Sequence, residues 1–496
     1  MMNELDEHLE IERNIIRNSI KLQLPIEITS YTLPRNMEAY IQRVLEIFLE
    51  ECYQDHLKEY LKFCLGELLT NSKKANTKRV YFKDEGLDIH NPKDYEKGME
   101  TFKEEAFDNI NYYLDLQRKA GLYVKLVLQL KADKVIIEIR NNSLITSEER
   151  ERIQQKFDNA QQFKSMDEVV NKVLDTTEGA GLGIIIIILM LQRVGLSKNN
   201  YQIFTTDEET VTRIILPGNE KIFAAIDIMS YELVYMRDQI PIVEYRFKEV
   251  NDLVAADKID RNALLDCIRK DMDLALLLLK YSIEKDRKCL SLYKALELLS
   301  DDELKFIFSE SNPASVVIEN TQSLEDLFFH AERTAYFAFC LSKNYNISTE
   351  KYDADSIYTL GLLNSLGYMF LLTETKEQSS YMKELAEQFE EYSEKILDVF
   401  NFGNSNNYLK RAYIKKMNFE EECAVILSCW NNSEKVPEEL VPIIHVLYIA
   451  EMMQYYDEKQ VDFYQVDKDI LKKFNITDEK QFKSVLVQMK NKFMEN

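Results

Sequence analysis

Glu67-Leu-Leu-Thr-Asn71-Ser-Lys-Lys74-Ala and Glu178-Gly179-Ala-Gly181-Leu182-Gly183-Ile are the two stretches whose reading decides the fold of this chain. On a helix, Glu67, Asn71 and Lys74 stand at i, i+4 and i+7 and share one face, while Leu68, Leu69 and Ala75 turn toward a core. A carboxylate, a carboxamide and an ammonium on one stripe suit a hydrated Mg²⁺ held between protein oxygens and nucleotide phosphates. The three glycines of the second stretch allow close backbone approach to an anion. The apolar run after them starts a helix whose N-terminal dipole favours phosphate. Either motif alone is common on ordinary helices and turns, so the reading rests on their order and on what lies between them.

Between them Lys134-Val-Ile-Ile-Glu-Ile-Arg140 alternates as a half-buried strand and ends in Asn141-Asn142-Ser143, and a further strand closes at Thr210-Val-Thr-Arg-Ile-Ile-Leu-Pro217. This arrangement resembles the GHKL ATPases, the superfamily of histidine kinases, anti-sigma-factor serine kinases, type II topoisomerases, MutL proteins and ninety-kilodalton heat-shock chaperones. The resemblance implies a Bergerat-type α/β sandwich that binds ATP with Mg²⁺. By motif position Asn71 would hold the Mg²⁺, and Glu67 would polarise water or a hydroxyl as a general base. Lys74 would contact phosphate, as would the loop of Gly179, Gly181, Leu182 and Gly183, and Thr210 would line the site. The family's adenine-accepting Asp is Asn141 here, and the glycine two residues on is Ser143. An amide oxygen still accepts from an adenine amine, but as a neutral acceptor. Restoring aspartate at 141 is therefore expected to tighten adenine recognition.

The strand-forming pattern gives way near Pro217-Gly218-Asn219 to helical periods that continue to the end. This predicts an α+β chain: an ATP-binding domain at 1–218, a linker at 219–229 and an all-helical domain at 230–496. Within the first domain we expect helices at 37–52 and 57–75, strands at 79–82, 124–129 and 135–139, and an inserted helix in the long segment 83–121. Charged helical sequence from Ser147 to Leu174 stands where the family's mobile lid sits.

The helical part opens with Gln239-Ile-Pro-Ile-Val-Glu-Tyr-Arg-Phe, then the leucine-rich stretch from Leu264 to Lys280, then Ser291-Leu-Tyr-Lys-Ala-Leu-Glu-Leu-Leu. It resembles the HDOD domains, helical relatives of the HD phosphohydrolases used in bacterial signalling. The family landmark Gly-Leu-Leu-His-Asp-Ile-Gly stands here as Gly361-Leu-Leu-Asn364-Ser365-Leu-Gly367. Asn364 and Ser365 are poor replacements for metal ligands, and Cys429-Trp430-Asn431-Asn432 supplies no imidazole where a second cluster is expected. The resemblance therefore implies a contact or scaffold module, not a hydrolase, with His330 and His445 as packing or surface residues.

A net charge of −23 argues against nucleic acid or an anionic membrane as the main partner. The acidic opening Met-Met-Asn-Glu-Leu-Asp-Glu is unlike a signal peptide, and the apolar run from Ile184 to Leu191 is too short to span a bilayer, so a cytoplasmic protein is expected. Seven cysteines without a C-x-x-C pair read as reduced thiols. A histidine kinase proper fits poorly, because Pro25 and Pro34 interrupt any helical hairpin after His8, and His56 lies too near the ATP-site helix. The leading expectation is a signalling protein that binds Mg²⁺-ATP and relays its state to a protein partner, with a homodimer among the assemblies it allows. An active serine/threonine or histidine kinase of the anti-sigma type, or a nucleotide-free scaffold, are the alternatives.

Overall fold

Five strands whose side chains alternate between two faces build an antiparallel sheet in the order β1-β2-β3-β5-β4. They are β1 (Ile26–Ser30), β2 (Val124–Lys131), β3 (Lys134–Asn141), β4 (Tyr201–Thr205) and β5 (Thr210–Pro217). The computed structural model describes residues 13–131, 133–160, 183–349, 351–401, 405–429 and 436–495. The chain divides into two units, 1–220 and 221–496.

The pairing register stacks Ile28, Leu126, Ile139 and Thr212 across one face, with Ile26, Leu128, Ile137 and Ile214 in the next row. Leu126, Leu128, Ile137, Ile139 and Ile214 are all buried, which is what a one-residue slip would destroy. The other face is charged. Glu138 stands opposite Arg213 and is bridged to both Arg213 and Arg140 at 2.5 Å, while Lys125 lies 3.5 Å from both Glu27 and Glu209. Opposite charges directly across strands support the same register that the apolar face demands.

Residues 13–21 form helix α1, followed by α2 (Arg35–Glu51) and the long α3 (Lys58–Asp84). The expected strand at 79–82 is corrected: Arg79-Val-Tyr-Phe is part of α3. Its bulky residues do not feed a sheet; they bury themselves against the inserted segment. That insert is two helices, α4 (Pro92–Asp108) and α5 (Ile110–Lys119), broken at Asn109. The Tyr81 ring lies 5.2 Å from Phe102 and 5.8 Å from Tyr113, edge-on, a geometry that aromatic quadrupoles favour. Gly98 lets α4 approach, since a Cβ there would stand 2.6 Å from Phe82 Cζ. Then come α6 (Ser147–Ala160) and α7 (Gly183–Arg193). The isoleucine run of α7 has modest helix propensity, yet Ile187 and Ile188 are buried and packing decides its form.

Segment 219–229, expected as a linker, lies almost wholly in helix α8 (Glu220–Met236). Beyond it a short parallel pair, β6 (Ile240–Val243) with β7 (Ser315–Ile318), accompanies an otherwise helical unit. Some of its helices begin where side chains cap them: Asp271 accepts from two backbone amides at the start of α9 (Met272–Lys285), and Thr321 caps α10 (Gln322–Asn344). The core also contains α11 (Ala354–Leu363), α12 (Leu366–Leu372), α13 (Asn406–Lys416) and α14 (Val441–Asp457). Residues from Ile443 to Tyr455 of α14 are all buried, as a helix apolar on every side must be. Among the described residues no single helix is long and apolar enough to cross a membrane. One bent pair, Ala354–Leu372 with Lys376–Glu387, passes on length and composition, and much of it is core. All seven cysteines are free thiols.

Gly361 marks a close approach between α10 and α11, because a Cβ there would lie 2.8 Å from Ala335 Cα. Backbone cannot move aside as a side chain can. The overpacking cost of about 1–3 kcal/mol should therefore exceed the helix-propensity gain of at most about 1 kcal/mol. Gly361→Ala is expected to lower the melting temperature of the helical unit by a few degrees in a thermal melt; an unchanged or higher midpoint would contradict this packing.

Candidate functional site

Glu67, Asn71 and Lys74 all stand on α3, Glu67 half-buried and the other two exposed. The helix is held against the sheet by a residue that the sequence reading passed over. Asn76, 0 % exposed, donates its amide to the backbone carbonyl of Tyr123 at 3.0 Å. Its oxygen accepts from Ser143 Oγ at 2.7 Å and from Asn141 Nδ2 at 3.3 Å. Asn141 also donates to the Ser143 carbonyl at 3.3 Å, and Thr210 Oγ1 donates to that same carbonyl at 2.6 Å. The end of β3, the start of β5 and the middle of α3 thus meet in one buried polar cluster. An asparagine in mid-helix, where its propensity is poor, was the available signal.

Of the predicted phosphate loop, Gly183 is the first residue of α7, which packs on α3. Gly179, Gly181 and Leu182 lie outside the described residues. So Asn141 and Thr210 are brought together, and Glu67, Asn71 and Lys74 lie on the helix they are tied to.

The start of α6 is fixed on the same helix. Thr146 and Glu149 cap each other reciprocally, and Glu149 bridges Lys78 at 2.8 Å and Arg79 at 2.6 Å. Burial works to raise the Glu149 pKa, but the hydrogen bond from Arg79 and the charges of Lys78 and Arg79 outweigh it and hold it at about 2. Tyr95 of α4 takes Lys78 and Arg152 at 3.3 Å on its hydroxyl, and Arg152 also lies over its ring at 5.0 Å. Beside this junction α4 and α6 line a cleft of about 400 Å³ with Pro92, Met99, Glu96, Glu100 and Glu148.

The second unit has its own polar centre at the degenerate landmark. Asn364 and Ser365 are buried, and Asn364 Oδ1 accepts from Lys410 Nζ at 2.8 Å. Lys410 is 0 % exposed. Burial pushes its pKa down from the usual 10.5 to about 8, against the opposing charges of Glu451 and Cys429. Glu451 accepts from Tyr455 at 2.7 Å, and its other oxygen has no hydrogen-bond partner among the described residues. Burial raises its pKa. His330 pairs with Glu458 at 3.0 Å and lies 5.2 Å from the Tyr455 ring. His445 is buried and pushed down to about 4 by that burial and by Lys473. Among the described residues no three His, Cys, Asp or Glu side chains come together as a metal-binding group, and Trp430, Asn431 and Asn432 lie outside them. An ammonium on an asparagine, with a carboxylate near it, forms a packed polar core at the landmark.

Two outcomes follow from these clusters. Asn141→Asp sets a second carboxylate oxygen toward Asn76 Oδ1 and the Ser143 carbonyl, both acceptors, a cost to the fold that is separate from the expected gain in adenine recognition. It should cost about 1–3 kcal/mol, read as a lower unfolding midpoint, and an equal or higher midpoint would refute the assigned amide orientation. Lys410 binds its proton less tightly in the folded than in the unfolded chain. Between pH 8 and about 10.5 the unfolded chain therefore holds more protons, and stability gains as pH rises. Against Lys410→Met, wild type should gain up to about 3 kcal/mol across that window in denaturant titrations, and a flat difference would contradict a buried ammonium.

The HDOD domain profile matches residues 240–422. Similarities to solved structures are weak. The MmoQ response regulator fragment of Methylococcus capsulatus str. Bath is 14 % identical with a TM-score of 0.38, covering 49 % of this chain and 93 % of that one. An HDOD domain protein of Geobacter sulfurreducens is 14 % identical with a TM-score of 0.27, covering 55 % and 96 %. The domain assignment therefore rests on the profile. An uncharacterized protein of Treponema pallidum (strain Nichols) is 31 % identical over 492 residues, covering 98 % of this chain and 95 % of its own length. The chain belongs to the family of that treponemal protein, and its residues 240–422 form an HDOD domain.

Proposed function

We propose that this is a cytoplasmic bacterial signalling protein whose amino-terminal unit binds Mg²⁺-ATP in the manner of GHKL domains and whose HDOD domain passes the bound state to a protein partner by contact. The observation that carries the reading is the Asn76 cluster. It ties the helix bearing Glu67, Asn71 and Lys74 to the strand end at Asn141 and to Thr210, so that separate stretches of sequence converge on one helix. In this reading the base lies toward Asn141 and the phosphates toward Asn71, Lys74 and the glycines that precede α7. Mg²⁺, when bound, supplies charge neutralisation at the phosphates. Asn71 would hold it, and the exposed ammonium of Lys74 would add a second positive charge.

The HDOD half acts as a surface in this reading. Asn364 and Ser365 stand at the landmark positions, and Asn364 is bonded to Lys410. That centre is filled by protein, and what remains to the domain is contact with a partner.

Calorimetric titration of the full chain with ATP, with and without Mg²⁺, tests the nucleotide half. Wild type should bind with a marked Mg²⁺ dependence. Asn71→Ala should lose that dependence and about tenfold or more in affinity, roughly one lost charge-assisted contact. No binding by wild type, or equal binding by Asn71→Ala, would refute the site.

A further inference from the structure

A strand turns its backbone groups alternately to its two sides, so a sheet of two strands leaves two outer edges to be satisfied or covered. β6 and β7 run parallel, with Ile240 opposite Ser315 and Ile242 opposite Val317. The N–H of Ile240 donates to the Ala314 carbonyl at 2.8 Å. In a parallel ladder of that register the Ile240 carbonyl takes the N–H of Val316, the Val316 carbonyl takes the N–H of Ile242, and the Ile242 carbonyl takes the N–H of Ile318. Val316 and Ile318 therefore spend their N–H groups on β6, while Ser315 and Val317 turn theirs away from it.

The two outer edges differ. On β6 the residue between the two bonded ones is Pro241, which has no N–H to leave unmet, and all four residues of that strand are buried. β7 contains no proline and no charge, and no further strand pairs with it among the described residues. Ser315 is occupied: its N–H reaches the Asn312 carbonyl at 3.3 Å, and its own carbonyl takes Gln239 Nε2 at 3.2 Å. The N–H and C=O of Val317 have no partner among the described residues. Val317 is 43 % exposed, and Val316, whose side chain points to the opposite face, is 39 % exposed. An apolar edge that is bare on both faces is a template for another strand.

The chemistry of the edge selects the occupant. Val317 offers one donor and one acceptor in the same direction, and in an antiparallel ladder two residues that exchange both bonds stand directly opposite each other. Val317 thus matches a second Val317 about a twofold axis, as an isologous interface requires. That axis sets the flanking pairs. Val316 faces Ile318 of the second copy, and Glu319 faces Ser315, so apolar meets apolar and no carboxylate stands opposite another, which matters in a chain of net charge −23. We propose that the outer edge of β7 is a self-association surface, where two copies of this chain pair antiparallel through Val317 and join their sheets in the order β6-β7-β7-β6. The surface lies in the HDOD domain and needs no nucleotide, so it stands or falls apart from the ATP reading.

Sedimentation of the full chain over micromolar concentrations, without nucleotide, tests it. Wild type should pass from monomer to dimer across that range. Val317→Pro removes an N–H that β6 does not use, and should raise the dimer dissociation constant about tenfold or more, while the thermal unfolding midpoint extrapolated to low concentration stays within a few degrees of wild type. Val317→Lys and Val317→Glu serve if the proline variant does not fold. Each sets like charges directly across the axis and should be monomeric alone, and an equal mixture of the two should regain the dimer, because residue 317 then faces its opposite charge. Rescue by mixing is a readout that simple loss of folding would not give. Wild type that stays monomeric throughout, a dimer that survives all three substitutions, or Lys and Glu variants that remain monomeric when mixed would overturn the proposal.

Discussion

A side chain buried in the middle of a helix must find partners for both ends of its amide, and in this protein Asn76 finds them on two different strands' ends. Its nitrogen reaches the carbonyl preceding β2, and its oxygen receives the residues that terminate β3. Leaving either unmet would cost about 1–3 kcal/mol, so the helix has one rotation and one depth at which it is satisfied. That rotation places Asn71 and Lys74 outward and Leu68, Leu69 and Val80 inward. The Glu149 bridge to Lys78 and Arg79 then fixes α6 on the same helix two and three residues beyond Asn76, and Tyr95 brings the insert to the same place.

The helical unit solves a similar problem with a different group. A buried ammonium is expensive, and Lys410 is tolerated because Asn364 accepts from it and Glu451 stands near in a medium of low dielectric. The landmark stretch that resembles a metal centre is thereby built as part of the core, with Gly361 letting α11 close on α10 and Gly367 leaving room for the backbone of Asn406. The two units share a device: a buried polar cluster ties together segments far apart in sequence.

Local pattern made part of this legible. The alternation in Lys134–Arg140 and in Thr210–Pro217 gave strands with near-correct ends, because Val135, Ile137 and Ile139 with the facing Leu216 and Ile214 make one apolar, buried stretch of the sheet face. The same reasoning misassigned Val80, Tyr81 and Phe82, whose β-forming types are buried by the insert's aromatic rings and carried on in the helix. Sequence spacing put Glu67, Asn71 and Lys74 on one helix. It was silent on Asn76 and Lys410, because their partners lie 47 to 67 and 46 residues away, and no periodicity encodes a contact at that range.

The central claim is that the helix fixed by Asn76 carries one end of a nucleotide to Asn141 and the other to Asn71. A crystal structure of the full chain grown with Mg²⁺ and a non-hydrolysable ATP analogue tests it most directly. The account predicts the adenine amine within hydrogen-bond distance of Asn141 Oδ1, with Asn76 keeping its bonds to Tyr123 and Ser143, and the metal beside Asn71 with the phosphates toward the start of α7. Nucleotide bound elsewhere, or Asn141 turned to offer its nitrogen to the base, would contradict it.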